Sequence, residues 1–145
     1  MPLVIDANAA NQLALAACDS SRIILAWVRT NGRVVSGGRL QRELGKTRLA
    51  ALLQQWSAAG KLKLLPEKEI LTEEIRIRHI CSSDDEHVLA VVTISDAGVI
   101  LTGDQALKND LKQATITGRR RKIISNGPTG FSRPQIVRSL LRECK

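Results

Sequence analysis

The sequence predicts an α/β protein, a three-layer α/β/α sandwich around a mostly parallel central sheet. Two observations carry this. Short apolar runs, Leu3-Val4-Ile5 and Val99-Ile100-Leu101, have the length and composition of strands buried on both faces. They alternate with longer segments of helical periodicity, the pattern of a parallel sheet covered by helices. At 145 residues the chain is one domain by length, residues 1–145, with a basic C-terminal extension at about 115–145. That length buries a core without disulfide or metal staples.

In chain order, Leu3 to Ile5 reads as a buried strand ending at Asp6. Asn8 to Ala17 reads as a helix with Asn8 as its N-cap, and Ser21 to Arg29 as a second helix. Arg33 to Val35 is a short strand closed by Gly37-Gly38. Arg39 to Ala59 reads as one long helix with Leu49, Leu52, Leu53 and Trp56 on one face. Leu62, Leu64 and Leu65 before Pro66 suit a strand, and Glu69 to His79 a helix. Asp85 to Asp96 is an apolar helix, since Val88, Leu89, Val91, Val92 and Ile94 leave it little wet surface. Val99 to Leu101 is the second buried strand, ending at Thr102-Gly103-Asp104, and Gln105 to Gln113 is a helix. Beyond the basic run Arg119 to Lys122 come strand-like Ile123-Ile124, a loop at Asn126-Gly127-Pro128-Thr129-Gly130, and a helix over about Pro134 to Arg142.

Composition excludes several classes. No stretch approaches the roughly 20 apolar residues of a membrane span. The start, MPLVIDANAA, lacks a basic region ahead of an apolar run, so no signal peptide and a cytoplasmic location are expected. Cys18, Cys81 and Cys144 are odd in number and scattered, as reduced thiols are, and no His/Cys cluster competes for zinc. His79 and His87 stand alone and read as surface or helix residues. The net charge of +8 lies entirely in residues 105–145, which hold ten basic and two acidic side chains. A basic end of this kind is the electrostatic footprint of a polyanion partner. With only Trp27, Trp56 and Phe131 aromatic, a base-stacking platform is poorly supplied.

The acids are placed where they are expensive. Open parallel sheets bind ligands beyond the carboxyl ends of their strands. Asp6 and Asp104 fall there, although each also precedes a helix and suits an N-cap. On its helix Glu43 shares the stripe of Leu40, Leu44 and Thr47, so it is expected toward the core, unless it lies at the edge and pairs with Arg39 or Arg42. A buried ionised carboxylate costs several kcal/mol unless it is paired or bound to metal. Ser83-x-x-Glu86 matches a capping box, which leaves Asp84 and Asp85 as spare acids at a helix start. Convergence of these carboxylates makes sense around a hard divalent cation with oxygen ligands.

The order Ile5-Asp6-Ala7-Asn8, then Glu43, then Asp84-Asp85-Glu86-His87-Val88-Leu89-Ala90, then Leu101-Thr102-Gly103-Asp104-Gln105-Ala106-Leu107 resembles the PIN-domain family over roughly residues 1–115. These are small metal-dependent nucleases, many of them endoribonuclease toxins of toxin–antitoxin pairs. The resemblance implies catalytic and metal-binding roles for Asp6, Glu43, Asp85 and Asp104 with Mg²⁺ or Mn²⁺. It implies accessory roles for Asn8 and Thr102, and leaves the third acid open among Asp84, Asp85 and Glu86. Ala7 stands where the family usually has Ser or Thr, and Ala106 where many members have a further acid.

The expected activity is therefore cleavage of single-stranded RNA by metal-activated water, with Arg119, Arg120, Arg121 and Lys122 on the phosphates. An antitoxin-like protein and a second copy of the chain are compatible partners, and a membrane is not. Two other readings remain open. One is a PIN-like module, weak or inactive as an enzyme, that grips nucleic acid or a partner. The other is a receiver-like phosphoacceptor, which needs a lysine at a strand end that no strand here clearly supplies.

Overall fold

The chain's structure, a computed structural model, describes residues 1–127 and 130–144. In chain order the elements are β1 (Leu3–Ile5), α1 (Ala7–Leu15), α2 (Asp19–Thr30), β2 (Val34–Ser36), α3 (Gly38–Leu44), α4 (Ala50–Ala58), β3 (Leu62–Leu64) and α5 (Glu67–Arg78). They continue with α6 (Glu86–Ser95), β4 (Val99–Thr102), α7 (Gln105–Leu111), α8 (Ala114–Thr117), β5 (Lys122–Gly127), β6 (Gly130–Phe131) and α9 (Pro134–Arg142).

The sheet order is β3-β2-β1-β4-β5-β6. β1 to β5 run parallel, and only β6 turns back, antiparallel to β5. One helical layer contains α1, α2 and α9, which pack in succession; the other contains α5 and α6, with α8 linking α6 to α7. This is the expected three-layer α/β/α sandwich. β1 and β4 lie side by side at its centre with Leu3, Val4, Ile5, Ile100 and Leu101 fully buried, so their backbone polar groups are satisfied by the ladders between them. Among the described residues no helix is long and apolar enough to cross a membrane.

α3 is the element that matters most for the site. Leaving β2, the chain turns at Gly37 (φ 156°) and Gly38 (φ 52°), both at positive φ, where a side chain is strained. A Cβ on Gly37 would also meet the Ile70 side chain at 2.6 Å. The turn throws α3 across the carboxyl end of the sheet, where it touches α1 of one layer and α5 and α6 of the other.

Three expectations are corrected. The long helix over 39–59 is two helices, α3 and α4. Gly45 ends α3, the Thr47 hydroxyl donates back to the Leu44 carbonyl at 2.6 Å, and Asn11 Oδ1 accepts the Arg48 amide at 2.8 Å. These side-chain bonds offer the backbone an alternative to helix at a weak helix-forming sequence. The first helix is capped at Asp6 and not Asn8. The Ser83/Glu86 capping box does not form, because the Ser82 and Ser83 amides are taken by the Asp110 carboxylate at 3.0 and 2.9 Å. Asp85 is the N-cap residue of α6 instead, and Glu86 faces Arg78 at 3.7 Å. The four-residue α8 was not foreseen, and Pro128 and Thr129 of the predicted loop lie outside the described residues.

Candidate active site

Three aspartates meet beyond the carboxyl ends of β1 and β4. Asp6 is the first residue past β1 and has N-cap backbone geometry, yet its carboxylate makes no cap hydrogen bond. It is buried, and Thr102 Oγ1, from the end of β4, donates to its Oδ2 at 2.8 Å. Burial pushes the Asp6 carboxyl above its usual range, against the Thr102 hydroxyl and the Ala7 amide, and the charge of Asp104 adds to the rise. Thr102 Oγ1 also accepts the Asp104 amide at 3.1 Å, so one hydroxyl ties both strand-end acids together.

Asp104 is the N-cap of α7, and its Oδ1 accepts the Leu107 amide at 3.0 Å. The structural role foreseen for this residue is thus real and occupies one oxygen. Asp85, at the start of α6, makes no cap bond. Its carboxyl is pushed up to about 6, first by burial and then by the charges of Asp6 and Asp104, with Asp104 also in direct hydrogen-bonding contact. Of the three adjacent acids, Asp85 is the one that meets the other two sites; Asp84 is exposed and Glu86 points to Arg78.

Glu43 lies farther out than expected. Leu40 and Leu44 are buried, but the Glu43 side chain is 35% exposed at the edge of the stripe, with Arg39 Nε 3.6 Å away. Its Oε1 lies 2.7 Å from His87 Nε2. His87 is 3% exposed, and its Nδ1 is buried without a partner among the described residues. The ring's nearness lowers the carboxyls of both Asp6 and Asp85, so it lies close to the aspartates as well as to Glu43. His87, a lone histidine in the sequence, is thus buried against Glu43. The signal was its place within the run His87 to Val92 of α6, where every side chain is buried.

Asn8 Oδ1 accepts the Gly103 amide at 3.3 Å and so joins the first turn of α1 to the loop after β4. At the end of β2, the fully buried Ser36 hydroxyl has no partner among the described residues. Among the described residues, no group of three or more His, Cys, Asp or Glu side chains is placed so that it could hold a metal ion. In chemistry the donors suit a hard cation, which favours carboxylate oxygens over thiolates.

The basic run is not at this site. Arg119 to Lys122 lead into the amino end of β5, whose Lys122 is in register with Val99, while the aspartates lie past the carboxyl ends. Arg121 is 6% exposed and spent on the fold: Nη1 donates to Asp96 at 2.6 Å and to the Ala97 carbonyl at 2.9 Å, and Nη2 donates to the Thr117 carbonyl. Arg119 shares Asp96 at 2.9 Å. Of the four residues expected on phosphates, Arg120 and Lys122 are exposed to solvent, and Arg121 is withdrawn from it.

Comparison with protein-family models, with characterised proteins and with solved structures returned no match.

Proposed function

We propose that this chain is a PIN-type nuclease that cuts single-stranded RNA, with Asp6, Asp85 and Asp104 as the acids that would hold Mg²⁺ or Mn²⁺ once their side chains turn to a common ion, and Glu43 at the margin of the same site. The observation that carries the reading is the state of Asp85. Its carboxyl is raised to about 6 by burial and by two further carboxylates drawn from different strand ends. Clusters that raise one another's pKa are common at functional sites, because a fold gains nothing structural from such repulsion. A bound divalent ion would relieve it. When bound, the ion would supply Lewis-acid polarisation of phosphate and activation of water.

The chain's own residues do the rest. Thr102 fixes the rotamer of Asp6, the Leu107 amide fixes Asp104, and Asn8 ties the start of α1 to Gly103. The Asp85 carboxyl keeps its proton up to about pH 6 in the metal-free site.

A second reading, a PIN-like binding module without strong catalysis, is favoured by one observation: Glu43 is held by His87 and Arg39, away from the three aspartates. Calorimetric titration with Mn²⁺ separates the two. The nuclease reading expects binding by the wild type and its loss in Asp85→Asn. No binding heat at millimolar Mn²⁺ would leave the module. An antitoxin-like protein partner belongs to the same resemblance and is tested by co-purification with the product of an adjacent small gene.

A further inference from the structure

A groove of about 660 Å³ lies beside β5, lined by Lys108 of α7, by Lys112 just past its end, and by Arg120, Arg121, Lys122 and Ser125, with Ile123 and Leu140 as its apolar part. No acidic residue lines it among the described residues. Arg121 is committed to Asp96, but Lys108, Lys112, Arg120 and Lys122 form no ion pair among the described residues. Lys108 Nζ donates to Ser125 Oγ at 2.5 Å across the groove.

The strand edge adds a donor. The Lys122 amide bonds Gly98 on the β4 side, and the Ser125 amide bonds Ser132 Oγ on the other. By the alternation of a strand, the Ile123 amide points away from β4. Along β5 the groove spans about 10 Å, at roughly 3.3 Å per residue from Lys122 to Ser125. Its upper end meets the candidate site. Ser125 is in register with Thr102, the residue that holds Asp6, and Lys108 lies one turn beyond Asp104.

We propose that this groove binds the sugar–phosphate backbone of a single-stranded nucleic acid and leads it to the aspartates. The chemistry favours a phosphodiester over an acidic peptide. The groove offers several unpaired cations and no aromatic side chain, which suits a uniformly charged backbone, whereas bound peptides are held through pockets for particular side chains. Its contacts differ from those expected of residues 119–122 as a run: Lys108 and Lys112 enter, Arg119 leaves, and Arg121 lines the groove but is held by Asp96. The direction of the track rests on the nuclease reading; the groove itself does not.

Binding is measured by fluorescence anisotropy of a short labelled oligouridylate in EDTA, so that no cleavage occurs. The triple variant Lys108→Ala, Lys112→Ala, Lys122→Ala is compared with Arg22→Ala, Arg29→Ala, Lys61→Ala, which removes equal charge around a different pocket. The groove variant should bind about tenfold or more weakly, and its log–log salt slope should fall by about 0.7 per lost phosphate contact. The control should change much less, with melting temperatures of all three proteins alike.

Equal losses in the two variants, or none in the groove variant, would overturn the proposal. Displacement of the oligouridylate by short polyglutamate of matched charge would overturn its phosphodiester assignment. Groove-dependent binding without cleavage in Mn²⁺ supports the groove and sinks the nuclease reading. Cleavage with groove-independent binding does the reverse.

Discussion

His87 Nε2 lies 2.7 Å from Glu43 Oε1, and the pair joins α6 to α3 across the carboxyl end of the sheet. The same buried ring lies close to Asp6 and Asp85. If the acid serves the metal, Glu43→Gln, which keeps the size of the side chain, should weaken Mn²⁺ binding about tenfold or more, as loss of a ligand or its support does. If it only seats His87, Mn²⁺ affinity should stay within about twofold while the melting temperature falls. Calorimetry and thermal melting on the same variant distinguish the two.

Asp85 makes stability depend on pH with a definite sign. Its carboxyl is near 6 in the fold against 3.8 in an open chain, so between those values the folded protein binds the extra proton. The metal-free fold is thus favoured by this group below about pH 4 and loses that benefit as pH rises through 6. Asp85→Asn removes the penalty. In EDTA its melting temperature should exceed the wild type's at pH 7.5, and the gap should close by about pH 4. A constant gap would mean that Asp85 is not electrostatically coupled.

Metal binding should release protons over the same range. At pH 6 about half of Asp85 is protonated, and a cation needs it ionised. Titrating Mn²⁺ in two buffers of different ionisation enthalpy should show proton release near pH 6 that vanishes by pH 8.

Arg121 and its neighbours should part company. Arg121→Ala strands the Thr117 and Ala97 carbonyls and should destabilise the fold by about 1–3 kcal/mol. Replacing exposed Arg120 and Lys122 should leave melting unchanged. Chemical denaturation of each variant tests this, and an unaffected Arg121→Ala would show that its buried bonds contribute little.

Much of the architecture was legible because it depends on local chemistry. Leu3-Val4-Ile5 and Val99-Ile100-Leu101 could only be buried strands, and the acids that follow them had to emerge at one end of a parallel sheet. The α9 boundaries followed from Pro134 at the first turn. What escaped depends on partners distant in sequence. The break at Gly45 is reinforced by Asn11, the failed capping box by Asp110, and the burial of Arg121 by Asp96. His87 became part of the site only once α3 was folded over it. The charge excess of residues 105–145 was correctly located in the sequence, but the run 119–122 enters the sheet at the end opposite the acids.

The most direct test of the account is cleavage of single-stranded RNA in Mn²⁺ by wild type and Asp104→Asn. Asparagine can still cap the Leu107 amide through its side-chain oxygen, so the fold should persist and melting in EDTA should not fall. The account predicts metal-dependent cleavage by the wild type, and a loss of about a hundredfold or more in the variant, as when one preorganised electrostatic group is removed. Undiminished cleavage by Asp104→Asn, or none by the wild type across a panel of RNAs, would contradict it.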